Sequence, residues 1–82
     1  MPTVRYFAAA KAAAELGEEH VEGSDLEQVL DQARRRHGAR LTAVLGVCSF
    51  LVDGAPVGSR PHGSVTVGPG SVVECLPPFA GG

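Results

Sequence analysis

The last six residues of this 82-residue chain, Pro77-Pro78-Phe79-Ala80-Gly81-Gly82, join residue types of opposite backbone freedom. Proline fixes φ and cannot donate a ladder hydrogen bond, so Pro77 and Pro78 must stop a preceding strand and send the chain out extended. Gly81 and Gly82 lack Cβ atoms and can enter a narrow passage in backbone conformations closed to other residues. The expectation is a terminal carboxylate on a thin, flexible tail of about residues 77 to 82, able to reach into another protein's active site. A carboxylate is a poor acyl donor until activated. The matching chemistry is ATP-dependent adenylation, with the acyl adenylate intercepted by sulfur or another nucleophile. A bare diglycine is by itself an ordinary frayed end; two prolines and an aromatic beside it point to a purpose.

The interior offers no competing chemistry. His20, His37 and His62 lack metal-ligand spacing to one another or to Cys48 and Cys75, so no metal site is expected. No glycine-rich stretch matches a phosphate loop, and neither cysteine has a sequence cue for activation. Both thiols read as core packing. At this length folding buries only roughly 60% of the unfolded chain's surface, which leaves one domain and argues against a self-contained enzyme. The composition, 44% hydrophobic and 20% charged, is that of a globular chain. A net charge of -2 argues against nucleic acid as the main partner. Without an apolar leader or long apolar run, the expectation is a cytoplasmic protein with reduced thiols and no membrane association.

The elements that must position the tail follow from local pattern. Thr3 to Ala8 alternates as a strand, and the alanine-rich stretch Ala9 to Leu16 predicts a short helix closed by Gly17. Glu18 to Glu22 is a short exposed strand or extended connection. Ser24-Asp25-Leu26-Glu27 matches a capping box, which starts the main helix at Ser24. Leu26, Val29, Leu30 and Ala33 share one face of it, and Arg34, Arg35, Arg36 and His37 crowd its last turn before Gly38. Arg40 to Leu45 adds one further helical turn before Gly46. Val47 to Val52 reads as a strand, Asp53-Gly54 as a two-residue hairpin turn, and Ala55 to Val57 as its return. Gly58 to Gly70 is a loop with a few paired residues around Val65 to Val67, and Ser71 to Leu76 is the last strand. The order suits an α+β fold, a mixed sheet around one main helix.

The ending Leu76-Pro77-Pro78-Phe79-Ala80-Gly81-Gly82 resembles the Pro-Pro-x-x-Gly-Gly tail of the molybdopterin synthase small subunit, within the MoaD/ThiS family of ubiquitin-like sulfur carriers. The likeness extends over the chain: Tyr6-Phe7-Ala8 ending the first strand, the short helix to Gly17, the Asp-Gly hairpin and the tail. Diglycine alone is common to ubiquitin-like carriers, and the prolines favour the molybdopterin branch. The resemblance implies a β-grasp fold, first and last strands parallel at the sheet centre, with no cofactor held permanently. It further implies that an E1-like enzyme adenylates Gly82 at the expense of ATP and that a sulfur donor makes the thiocarboxylate. Two carriers on two large synthase subunits, a heterotetramer, would then supply both dithiolene sulfurs to cyclic pyranopterin monophosphate, the catalytic side chains being the larger partner's. Cys75-Leu76 where an aromatic pair is common, and Gly68-Pro69-Gly70-Ser71 where an acidic turn is usual, depart from the family pattern at places that bear on partner choice. Sulfur delivery to thiamine thiazole, cysteine or another metabolite, protein modification through Gly82, and a plain binding module are the alternatives.

Strand alternation locates a docking face without the family. Val4 and Tyr6 share one side of the first strand, leaving Arg5 and Phe7 on the other; Glu74 marks Val72 and Leu76 as outward in the last strand. If the two strands are neighbours, Phe7, Val72 and Leu76 form an apolar patch near the tail's exit. The opposite parity would bury Phe7. Pro56 joins the docking residues through the resemblance. So does Lys11, the sole lysine, for which a solvated helix start is the plainer account. Arg34, Arg35, Arg36 and Arg40 could meet an acidic activating enzyme, although position at a helix C-terminus already accounts for the first three.

Overall fold

The computed structural model describes residues 1–78. Its elements run β1 (Thr3–Tyr6), α1 (Ala9–Ala14), β2 (Glu18–His20), α2 (Leu26–His37), α3 (Ala39–Leu45), β3 (Ser49–Val52), β4 (Ala55–Pro56) and β5 (Val72–Leu76), with a 3-10 turn over His62–Ser64 before β5. The strands form one mixed sheet of order β2-β1-β5-β3-β4. β1 and β5 pair in parallel at its centre, Thr3 opposite Val72 through Tyr6 opposite Cys75, and the other pairs are antiparallel.

α2 forms because an apolar stripe repeats at helical spacing: Leu26, Val29, Leu30 and Ala33 are all fully buried. They meet Val4, Tyr6, Val73, Cys75 and Phe50 in one core. The predicted cap is displaced by one residue. Asp25, not Ser24, is the N-cap; its Oδ1 accepts the Gln28 N–H at 2.8 Å, and Gln28 Oε1 reaches back to the Ser24 N–H and hydroxyl. Both residues are competent caps, and tertiary pairing selects between them, since Asp25 bridges to Thr66 and the Leu26 N–H donates to the Val65 carbonyl. Just before it, Gly23 lies so close that a Cβ there would stand 2.7 Å from Val29 Cγ2. Its φ of +152° is likewise one that L side chains rarely adopt.

The short helix, the main helix and the further turn expected from the sequence are all present, as α1, α2 and α3. α1 ends earlier than the alanine run suggests, with Glu15 rather than Gly17 in the left-handed conformation. α3 extends Arg40 to Leu45 into a helix that buries Leu41 and Leu45. The hairpin turn is as predicted: Asp53 and Gly54 both have positive φ, 51° and 81°. Asp53 also accepts from the Val72 N–H and the Ser71 hydroxyl, fixing the hairpin to the start of β5.

The short edge strand β2 is clamped by polar contacts. Tyr6 Oη donates to Glu19 Oε2 at 2.7 Å, Arg36 Nη1 donates to Glu19 Oε1 at 3.0 Å and to the His20 carbonyl at 2.8 Å, and His37 Nε2 faces Glu19 Oε2. Burial alone would raise the Glu19 pKa, but these hydrogen bonds outweigh it and hold the carboxylate below its ordinary value. Burial, reinforced by the same carboxylate, keeps the Tyr6 hydroxyl protonated well above its ordinary range.

Candidate functional site

β5 is the middle strand of five, so the chain leaves the sheet at its centre, flanked by the end of β1 and the start of β3. Leu76 is its last residue, opposite Ser49; Pro77 is buried against the body and Pro78 is exposed. With no N–H to donate, the two prolines end the ladder there. On the other flank the Phe7 N–H donates to the Cys75 carbonyl at 3.3 Å, which carries the parallel register one step past Tyr6 and sets Phe7 beside Leu76. Phe7 is 39% exposed. After it the chain turns sharply through Ala8, whose φ of 50° and ψ of -123° form a corner strained for a residue with a Cβ. Phe79, Ala80, Gly81 and Gly82, the remainder of the expected tail, lie outside the described residues.

The strands present two unlike faces. Val4, Tyr6, Val73, Cys75 and Phe50 point into the helices and are buried, whereas Arg5, Phe7, Val72, Glu74 and Leu76 occupy the open face, the parity expected from alternation. The patch is distributed differently than expected. Phe7 and Leu76 meet at the tail's exit, but Val72 pairs with Thr3 at the far end of β5, with Glu74 between. Pro56 is exposed on β4 opposite Leu51, and Leu51 in turn sits opposite Glu74, so a row runs Pro56, Leu51, Glu74, Arg5, Glu18 across the sheet. Arg5 and Glu18 pair at 3.5 Å in the open.

Two further apolar residues, one on this face and one in a turn, are not singled out by the sequence pattern. Leu51 is half-buried on the open face, hidden in the sequence because Phe50-Leu51-Val52 is apolar throughout and shows no alternation. Val47, assigned above to a strand, instead stands 63% exposed in the turn between α3 and β3. The strand begins only at Ser49 because the Val47 and Cys48 N–H groups are used by the Val44 and Leu45 carbonyls, closing the end of α3.

Lys11 is exposed on α1, its stem lying over Gly17: Cε is 3.7 Å from where a Cβ on that glycine would stand. Arg36 is engaged by Glu19 and Arg35 by Asp31 at 3.0 Å, so the arginine run does not present one free basic face. Cys75 is core as expected, its thiol pushed up to about 12 by burial. Cys48 is only half-buried, and burial pushes its thiol up to about 11. Neither is a thiolate at neutral pH, so neither is an activated nucleophile. Among the described residues no group of three His, Cys, Asp or Glu side chains could hold a metal ion, and no helix is long and apolar enough to cross a membrane.

A five-stranded mixed sheet with parallel first and last strands at its centre, covered on one face by α2, is a β-grasp fold, and its central last strand leads directly into a Pro-Pro segment. That is the architecture of the small ubiquitin-like carriers and modifiers. The ThiS family model matches residues 4–82, and the chain belongs to that family. Among solved structures it is similar to the small archaeal modifier protein 1 of Methanosarcina acetivorans, with a TM-score of 0.85 at 20% identity over 99% of this chain and 95% of that one. It is similar also to a chain of the BexX/CysO complex of Amycolatopsis orientalis, with a TM-score of 0.80 at 17% identity over 100% of both. A chain of the complex of subunits 1 and 2 of molybdopterin-converting factor from Helicobacter pylori 26695 matches with a TM-score of 0.70 at 23% identity over 99% and 97%. At these identities the likeness is one of fold. Among curated protein sequences none matches.

Proposed function

We propose that this chain is the sulfur-donating small subunit of molybdopterin synthase, with Gly82 as its reactive end. The observation that carries the reading is the placement of Pro77-Pro78: they follow the central strand directly, between Phe7 and the start of β3, and lead to Gly81-Gly82. The family match, which extends through residue 82, supports it. In the first step a carboxylate oxygen of Gly82 attacks the α-phosphorus of ATP on an E1-like enzyme and pyrophosphate leaves. In the second, a sulfide equivalent attacks the acyl carbon and AMP leaves, giving the thiocarboxylate. The tail then enters the large synthase subunit, where the thiocarboxylate sulfur displaces an oxygen substituent from a carbon of cyclic pyranopterin monophosphate and water cleaves the acyl–sulfur bond, leaving the sulfur on the pterin and regenerating the Gly82 carboxylate. Two carriers and two large subunits make the working assembly in the cytoplasm. The body's role is to dock through Phe7, Leu76 and their surroundings and to aim the tail, with Val72, Pro56 and Lys11 at the periphery.

The test is intact mass before and after incubation with ATP, an E1-like activating enzyme and sulfide, beside a version lacking Gly82. The expected result is replacement of one oxygen by sulfur only when Gly82 is present. Addition of large synthase subunit and pyranopterin then yields the dithiolene product. Failure to form adenylate or thiocarboxylate with competent activators overturns the carrier role. A thiocarboxylate that the large subunit cannot use points to another sulfur pathway, and diglycine-linked high-mass conjugates in lysate to protein modification.

A further inference from the structure

A cleft of about 330 Å³ opens beside the root of the tail, lined by Arg34 of α2, Leu45 and Gly46 at the end of α3, Cys48, Ser49 and Phe50 leading into β3, and Gly58 and His62 of the following loop. Its position is fixed by the sheet, because Ser49 sits opposite Leu76, the last residue before Pro77. Exposed Val47 lies on the same turn. The cleft therefore borders the point where Pro77 leaves the sheet.

The charge of the cleft is one-sided. The chain has six arginines and more acids than bases, and most arginines are committed: Arg5 to Glu18, Arg35 to Asp31, Arg36 to Glu19, and Arg60 to the Pro56 and Val57 carbonyls. Among the described residues Arg34 makes no such pair. It is half-buried in a recess whose lining contains no carboxylate, and His62 also lines it, edge-on to Phe50 with ring centroids 5.3 Å apart. The Cys48 thiol stays protonated and adds no negative charge. The recess therefore favours an anion. The Gly46 and Cys48 N–H groups in its lining are spent on the Thr42 and Leu45 carbonyls, so the end of α3 offers no cradle of amides of the kind that phosphate sites use. A single guanidinium, with an imidazole in the same lining, is matched instead to a single carboxylate.

We infer that this cleft receives an Asp or Glu side chain of the protein that takes hold of the tail, so that docking reaches past the open face around the start of β3. The inference rests on the carrier reading. Two measurements decide it separately from that reading. In the first, sodium acetate is titrated into the isolated chain at constant ionic strength, balanced with sodium chloride, while the amide signals of Gly46, Ser49, Gly58 and His62 are followed. Saturable shifts are expected in the natural sequence and none in Arg34→Gln. In the second, the rate of tail adenylation by the E1-like enzyme is compared for Arg34→Gln and Gln32→Glu, with circular dichroism and melting confirming that both fold. Arg34→Gln should lower kcat/KM about fivefold, through KM, and Gln32→Glu, an equal change of charge at an exposed position of α2 outside the cleft, less than about twofold. Absence of saturable acetate shifts overturns the cleft as a carboxylate site. Equal effects of the two changes overturn docking through it, since long-range attraction then suffices. If the natural sequence is never adenylated, the carrier role falls and the acetate titration still judges the cleft.

Discussion

Successive residues of β5 serve different ends. Val73 and Cys75 are wholly buried against the helices, while Val72, Glu74 and Leu76, one residue away, lie half-buried on the face the helices leave open. On β1 the same division separates Val4 and Tyr6 from Arg5 and Phe7. The covered face is apolar because burial there supplies the folding free energy of a small chain. The open face mixes apolar and charged groups as a surface does when it must stay soluble alone and still bind. Two interleaved sets of residues on the same strands thus answer to two selections, one for stability and one for partners.

The comparison breaks if changes on the two faces have the same consequence, and the largest effect belongs to the covered side. Leu30→Ala empties a fully buried position between α2 and the sheet. It should cost about 2–5 kcal/mol, measured by urea unfolding, a large part of what a domain of this size has. The fraction that remains folded should bind the large-subunit partner proposed above as before.

The next effect is on binding. Phe7→Ala and Leu76→Ala remove side chains that touch solvent beside the tail, so each should change unfolding free energy by less than about 1 kcal/mol. Each should nevertheless weaken binding to the proposed large-subunit partner by about 2 kcal/mol, roughly thirtyfold in Kd by calorimetry, if these residues anchor the interface. A Phe7→Ala chain that binds normally but melts early would assign Phe7 to the core and dissolve the division.

Much of this division was legible in the residues themselves. Arg5 and Glu74 each mark the outward side of a strand, and the stripe Leu26, Val29, Leu30, Ala33 marks the face that must be covered. Asp53-Gly54 states its turn in chemistry that few other pairs satisfy. The tail's Pro-Pro and Gly-Gly are read directly. What stayed hidden depends on contacts between distant segments. Val47 looks like strand until its N–H is seen closing α3, and Leu51 sits in a run with no period. The cleft around Arg34 combines α2, α3, β3 and a loop, and no local pattern announces such a meeting. Nor does any pattern join Glu19, in a segment that read only as short and exposed, to Tyr6, Arg36 and His37, which come from the first strand and the last turn of α2.

That cluster gives the smallest and sharpest test, a contrast between adjacent glutamates on β2. Glu18 is paired with Arg5 in the open, and a pair so exposed contributes little; Glu18→Gln should alter unfolding free energy by less than about 0.5 kcal/mol. Glu19 points to the covered side, its side chain 12% exposed and bonded to Tyr6, Arg36 and His37. Glu19→Gln should cost about 1–3 kcal/mol, because charged hydrogen bonds are lost in a partly desolvated place. The two variants should also differ in pH response. The folded pKa of Glu19 lies below its unfolded value, so its contribution is complete above the ordinary carboxylate range and disappears as pH falls through the depressed pKa. Tyr6 works in the other direction: its folded pKa is raised, so its contribution is complete below the ordinary tyrosine value of about 10 and is lost as pH climbs past it. Unfolding free energy followed from acid to alkali should therefore fall at both ends in the natural sequence and in Glu18→Gln. In Glu19→Gln the acid limb should flatten, and the alkaline one should soften because the carboxylate that helps hold the Tyr6 proton is gone. An unchanged acid limb would mean that Glu19 is no more coupled to folding than its exposed neighbour, and that the clamp on β2 contributes no more than a surface ion pair.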